Sequence, residues 1–141
     1  MKHLKYYLIG LLLVILDQAT KILFYEKYYD FGLIAITFVR NTGISFGLLE
    51  GSNYVIAVVS VLVLIGLWYY RKEFKGKETW LLLLVSGIIG NFLDRVFRGY
   101  VVDFIDLKFW PVFNFADAYL FVGVAMIIIL TLREEYKKKK H

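Results

Sequence analysis

The chain contains no cysteine. Disulfides, thiol nucleophiles and cysteine-based metal sites are therefore excluded. Histidine is nearly as scarce: His3 and His141 stand at the two ends of the 141-residue chain. A serine–histidine triad or HExxH zinc chemistry needs histidine within the folded body, so neither fits. No GxxxxGK or GxGxxG stretch occurs to cradle a nucleotide. There is no internal repeat, and the only low-complexity segment is the lysine tail. Charge is thin as well: 21% of residues are charged and 60% are hydrophobic, whereas a soluble domain lies nearer ~half apolar. No metal and no cofactor is expected.

The apolar sequence falls into blocks, with the charges between them and at the ends. This predicts an all-α integral membrane protein with one domain over residues 1–141. Four spans are expected, at roughly residues 4–24, 54–70, 79–97 and 115–132, each near the ~20 residues a helix needs to cross a bilayer core. The first block begins "MKHLKYYLIGLLLVIL". It has no small-residue cleavage site after the apolar run and carries Asp17 and Lys21 inside it, so it reads as an uncleaved helix.

The net charge is +5, but the basic residues flank the spans rather than form a nucleic-acid patch. Membrane lipid headgroups, not nucleic acid, are their expected partner. Lys2, Lys5, the 71–78 loop "RKEFKGKE" and the tail with Arg133 and "KKKK" all fall on one side. The positive-inside rule puts both termini in the cytoplasm and residues 25–53 and 98–114 outside. Tyr6, Tyr7, Trp68, Tyr69, Tyr70, Trp80 and Trp110 cluster near the predicted interfaces, as an aromatic belt does. Residues 25–53 are too many for a bare linker in so small a protein. Within them "FGLIAITFVRNTG" is rich in β-branched and aromatic residues and ends in a turn signal, which predicts a short strand pair at the outer surface.

Polar residues converge at one depth. With a rise of ~1.5 Å per residue, Asp17 and Lys21 lie about 20 and 25 Å up the first span. Asn91 and Arg95 lie about 18 and 24 Å up the third. The fourth span returns inward, so Asn114 and Asp117 sit at its outer end, with Asp103 in the connection before it. Ionisable groups at membrane depth usually face the bundle interior and mark a functional path. Asp17 and Lys21 share a helix face at i,i+4 and read as a brace for the first helix. Asn91 and Arg95 have the same spacing, with Asp94 beside Arg95. Lys27, Arg98 and Lys108 read as solvated. "GISFG" (43–47) lies in a loop, so helix dimerisation is not its use. Ser86 and Gly90 read as a close helix contact.

"VVDFIDLKFWPVFNFAD" (101–117) carries Asp103, Asp106 and Asp117. Two carboxyls pressed together beside an apolar site cannot both ionise and come to share a proton. One then activates water while the other, protonated, polarises a carbonyl. The same carboxyls also suit a proton or ion relay in a small transporter. Spacing leaves both uses, and all three aspartates, open.

The blocks "DQATK" (17–21), "NTGISFG" (41–47), "GIIGNFLDRVFRGYVVDFID" (87–106) and "FNFADAYLFVGV" (113–124), in that order and spacing, resemble the bacterial lipoprotein signal peptidases, or signal peptidase II. The resemblance covers essentially the whole chain. It implies a multi-pass aspartic endopeptidase of the bacterial inner membrane. Such an enzyme removes the signal peptide of a prolipoprotein just before its diacylglyceryl-modified cysteine, at a site near the outer face. It implies Asp103 and Asp117 as the catalytic pair, leaving Asp106 out. It implies Asn41 and Arg95 as substrate-binding residues. Asp17, Lys21, Gly87, Asn91, Asn114 and Ala116 match supporting motif positions. It also implies four transmembrane helices with a small β-element and a short helix on the outer side. Ser45 stands where members often have alanine. An intramembrane protease of the presenilin type fits less well, because Asp103 lies outside the spans and no GxGD occurs. No sequence feature fixes the oligomeric state, and a monomer suffices.

Overall fold

The computed structural model describes residues 2–43 and 51–140. "NTGISFG" is thus described only through Gly43, and Ser45 lies outside the described residues. Helix α1 spans Lys2–Leu23, strands β1 and β2 span Tyr29–Asp30 and Ala35–Asn41, and α2 spans Asn53–Tyr69. A 3-10 turn at Arg71–Phe74 leads to α3, Glu78–Phe97. Strand β3, Val101–Asp106, precedes α4, Phe115–Lys140. Among the described residues that 3-10 turn is the only short helix, and it lies in the connection between α2 and α3. The expected short outer helix is not among them.

Among the described residues three helices are long and apolar enough to cross a membrane: Leu4–Leu23, Glu78–Phe97 and Phe115–Lys140. Helix α2 is equally apolar but shorter, with 17 residues. Helix bounds follow the hydropathy blocks closely except at the C-terminus. There α4 continues to Lys140, because Arg, Glu and Lys are good helix formers and lysines favour a helix C-terminus. The helices turn large apolar side chains outward, with Leu12 64%, Leu62 61% and Phe121 68% exposed. Apolar surface on this scale requires a non-aqueous solvent.

The sheet runs β1-β2-β3, antiparallel throughout. Of the strand pair expected within residues 31–43 only β2 lies there: β1 precedes that stretch, and β2's longer partner is β3, from residues 98–114. Residues 98–114 are not a plain connection. "VVDFID" hides its strand character because Val101 to Phe104 are all buried, which removes the alternation that marks a one-sided strand. Phe113 bridges to Ile105, so the chain entering α4 lies against β3. Phe104 packs between Phe24, 5.1 Å away, and Phe115, 5.7 Å away. With Ala35, Val101, Val102 and Ala116 it forms a small core at one end of the bundle.

Helices α3 and α4 approach closely. A Cβ on Gly87 would fall onto the Ala116 carbonyl oxygen and the Leu120 amide, and one on Gly123 would sit 2.7 Å from the Leu84 amide. Gly90 faces Ala116 and the Asp17 carboxyl, and Ser86 is buried, in line with their expected packing role. Backbone cannot step aside as a side chain can. Gly87→Val is therefore expected to force the helices apart at a cost of about 1–3 kcal/mol. Thermal unfolding in detergent measures this, and an unchanged midpoint would contradict the packing described.

Candidate active site

Strand β3 carries Asp103 into the core, and its neighbours supply the donors. Asn41 is a diagonal cross-strand neighbour of Asp103, since Asn41 faces Val101 and Val39 faces Asp103. Its amide Nδ2 donates to Asp103 Oδ2 at 2.9 Å. The other oxygen, Oδ1, accepts from Asn114 Nδ2 at 2.6 Å. Asn114 arrives there because Phe113 exchanges main-chain hydrogen bonds with Ile105.

Asp117 is fixed by the start of α4. Asn114 Oδ1 accepts the Asp117 N–H at 2.9 Å, and Asp117 Oδ2 accepts the Asn114 N–H at 3.1 Å. This is a reciprocal capping box, with Asn114 as N-cap and Asp117 three residues on. Asp117 Oδ1 takes Asn91 Nδ2 from α3 at 2.7 Å. Asn91 cannot flip, because its Oδ1 accepts both Lys21 Nζ at 3.0 Å and Asn114 Nδ2 at 3.2 Å. Two asparagines thus join the two carboxyls through one bonded chain. Asp103 is pushed up to about 7, first by burial and then by the charge of Asp117. The amides of Asn41 and Asn114 and the Lys21 charge act against that rise.

A second buried cluster sits behind the first. Lys21 Nζ, wholly buried, reaches Asp17 and Asp94 at 2.8 Å each in addition to Asn91. Its three donors have three acceptors, which a buried ammonium needs to offset desolvation of several kcal/mol. Asp17 also accepts the Ala116 N–H of α4 at 2.8 Å. The expected brace of α1 therefore ties three helices rather than one. Asp94 further accepts Gln18 Nε2, Arg98 and the Val102 N–H of β3. Arg98, read from sequence as solvated, is instead a partner of Asp94 and Gln18. Lys27 and Lys108 fit the solvated reading better: Lys27 is exposed, and Lys108 pairs at the surface with Asp30 and Asp106.

Arg95 is buried, and its Nη2 donates to the Gly43 carbonyl at 2.9 Å. Its own carbonyl accepts Asn53 Nδ2 at 3.1 Å. Asp106 stands apart. Three residues from Asp103, it points to the opposite face of the strand, where its Oδ1 accepts the Lys108 N–H. Asp117 opens instead onto an apolar groove of about 600 Å³ lined by Leu107, Phe109, Trp110, Phe113 and Phe121.

The structure thus brings together Asp103, Asp117, Asn41, Asn91, Asn114, Asp17 and Lys21, packs Gly87 and Ala116 beside them, and leaves Asp106 outside. Sequence reasoning underrated Gln18, Asp94, Arg98 and Asn53. The i,i+4 spacing of Asp94 and Arg98, the same as that of Asp17 and Lys21, was the available signal for two of them. Among the described residues no group of three or more histidine, cysteine, aspartate or glutamate side chains is placed to hold a metal.

The sequence model described as signal peptidase (SPase) II matches residues 9–133. A protein of Halalkalibacterium halodurans named lipoprotein signal peptidase is 38% identical, covering 96% of each chain. One of the same name from Halothermothrix orenii is 36% identical, covering 92% of this chain and 96% of its own. A solved structure described as a bacterial membrane enzyme superposes with a TM-score of 0.88 at 34% identity, over 97% of this chain and 93% of that one. These matches support a hydrolase, and none of them supports a transporter. With the family model covering most of the sequence, the chain belongs to the signal peptidase II family.

Proposed function

We propose that this multi-pass membrane peptidase cuts diacylglyceryl-modified prolipoproteins before the lipidated cysteine, with Asp103 and Asp117 as an aspartic dyad. The observation that carries the dyad is the bonded chain Asp103–Asn114–Asn91–Asp117, which links two carboxyls, with Asp117 lining an apolar groove. One carboxylate takes a proton from the attacking water. The other, protonated, donates its proton to the carbonyl oxygen as it becomes tetrahedral; on collapse it takes that proton back, while the first carboxyl passes the proton it took from water to the leaving amine. No covalent intermediate is needed. The apolar surroundings keep the shared proton in place.

Asn41 and Arg95 bind substrate in this reading. The guanidinium of Arg95 already holds two main-chain carbonyls, those of Asn91 and Gly43, and its Nε–H has no partner among the described residues. A substrate backbone offers the same kind of acceptor. Asp17, Lys21, Asn91 and Asn114 hold the dyad in place, and Gly87 and Ala116 let α3 and α4 approach closely enough to do so. The chain acts as a single domain in the bacterial cytoplasmic membrane, with α2 as a fourth span and both termini in the cytoplasm. The site then faces the outer interface, and a monomer suffices. The apolar groove beside Asp117 takes the apolar part of the substrate.

The test uses purified protein in lipid and two forms of one precursor, with and without the diacylglyceryl group. Cleavage of the modified form alone, with the lipidated cysteine as the new N-terminus by mass spectrometry, is expected. Equal cleavage of both forms would remove the lipid from the substrate definition.

A further inference from the structure

The charged groups described around the two carboxyls form a closed set. From α1 come Asp17 and Lys21, from α3 Asp94, Arg95 and Arg98, from β3 Asp103 and from α4 Asp117. Arg95 lies within electrostatic reach of Asp94, Asp103 and Asp117. Lys21 bonds Asp17, Asp94 and Asn91, and Arg98 bonds Asp94. Other ionisable groups on the packed elements are directed elsewhere. Arg40 on β2 lies over Tyr100 and pairs with Glu26 at the surface. Asp106 turns to Lys108. Lys77 is tied to Glu134 and Thr131, between the start of α3 and the far end of α4. The Tyr25 and Tyr100 hydroxyls face each other, 3.3 Å apart and exposed.

Four carboxyls therefore face three cations, and all but Arg98 are buried or nearly so. With every carboxyl ionised the set carries one excess negative charge. With both dyad carboxyls protonated it carries one excess positive charge. It is neutral when Asp103 and Asp117 hold one proton between them. A low-dielectric site favours the neutral state, since an uncompensated charge there is costly. That state is the one an aspartic dyad requires.

We propose that Lys21, with Arg98 behind it, is a positioning residue that fixes the dyad at one proton while holding the Asn91 amide to Asp117. The inference rests on the dyad reading above and adds the source of its protonation state. Lys21 acts through Asn91 and through its field, not by contact with substrate.

The test is the pH profile of cleavage by the full-length protein in lipid. The wild type is expected to give a bell. Its acid limb reports ionisation of one dyad carboxyl, and its alkaline limb reports loss of the shared proton. Removing a neighbouring cation makes both ionisations harder, so Lys21→Gln moves both limbs up by about one pH unit. Removing a neighbouring anion makes them easier, so Asp17→Asn moves both limbs down. A merely structural role lowers the height of the bell without sliding it. Lys21→Arg keeps the charge and is expected to leave the limbs in place. If Lys21→Gln fails to fold, Arg98→Gln carries the test with the same upward slide, because Arg98 sits at the partly exposed edge. A folded cation variant whose bell stays in place would overturn the proposal. So would cation and anion variants that slide the same way. The dyad reading fails separately, by retained cleavage in Asp103→Asn.

Discussion

Asp103→Asn and Asp117→Asn are each expected to lose at least about a thousandfold in cleavage rate while remaining folded. The substitution keeps size and removes the capacity to ionise, so it separates chemistry from packing. In Asp103→Asn the introduced amide can meet the Asn41 and Asn114 amides only by presenting its oxygen to one of them, a modest loss of hydrogen bonding. The proton-transfer function would vanish outright. The two losses should not multiply in the double variant, because the carboxyls work as one unit. Asp106→Asn is the control. Its carboxyl serves the 106–108 turn, and its cleavage rate should stay within about twofold of wild type.

The second large effect concerns stability. Asp94 is wholly buried and accepts from Lys21, Arg98, Gln18 and the Val102 amide. Asp94→Ala leaves a buried ammonium short of one acceptor, removes one of the ties from α3 to α1, and removes the bond from α3 to the Val102 amide of β3. Breaking a buried pair by deleting one partner costs about 3–5 kcal/mol, more than the pair contributes over an apolar replacement. A lowered midpoint of thermal unfolding in detergent is the expected result. Lys108→Ala, at an exposed pair with Asp30, should leave the midpoint unchanged. Equal midpoints for Asp94→Ala and wild type would show that the cluster behind the dyad does not hold the fold.

These two effects separate what the sequence made legible from what it did not. Hydropathy blocks located the helices because lipid-facing surfaces need long apolar runs, and the observed bounds differ mainly where α4 continues through its lysines. Depth counting along the helices gathered Asp17, Lys21, Asn91, Arg95 and Asp117 at one level, since a helix rises by a fixed amount per residue. It could not show that Lys21 bonds Asp94, because side-chain pairing across helices depends on rotation as well as height. Strand β3 was missed because burial of Val101 to Phe104 erased the alternation by which strands are recognised. With it went the position of Asp103 beside Asn41, a cross-strand relation that no local spacing encodes. Asn114 and Asp117 were placed together at the outer end of the fourth span by depth, and the family motif added their roles. Their reciprocal cap is a local pattern, an N-cap asparagine with a carboxylate three residues on, that spacing alone offers.

The most direct test places wild type, Asp103→Asn and Asp117→Asn side by side on one diacylglyceryl-modified precursor, with products read by mass spectrometry at the pH of the wild-type maximum. The account predicts one product from the wild type, beginning at the lipidated cysteine, and intact precursor from both variants. Near-normal cleavage by either folded variant would contradict it.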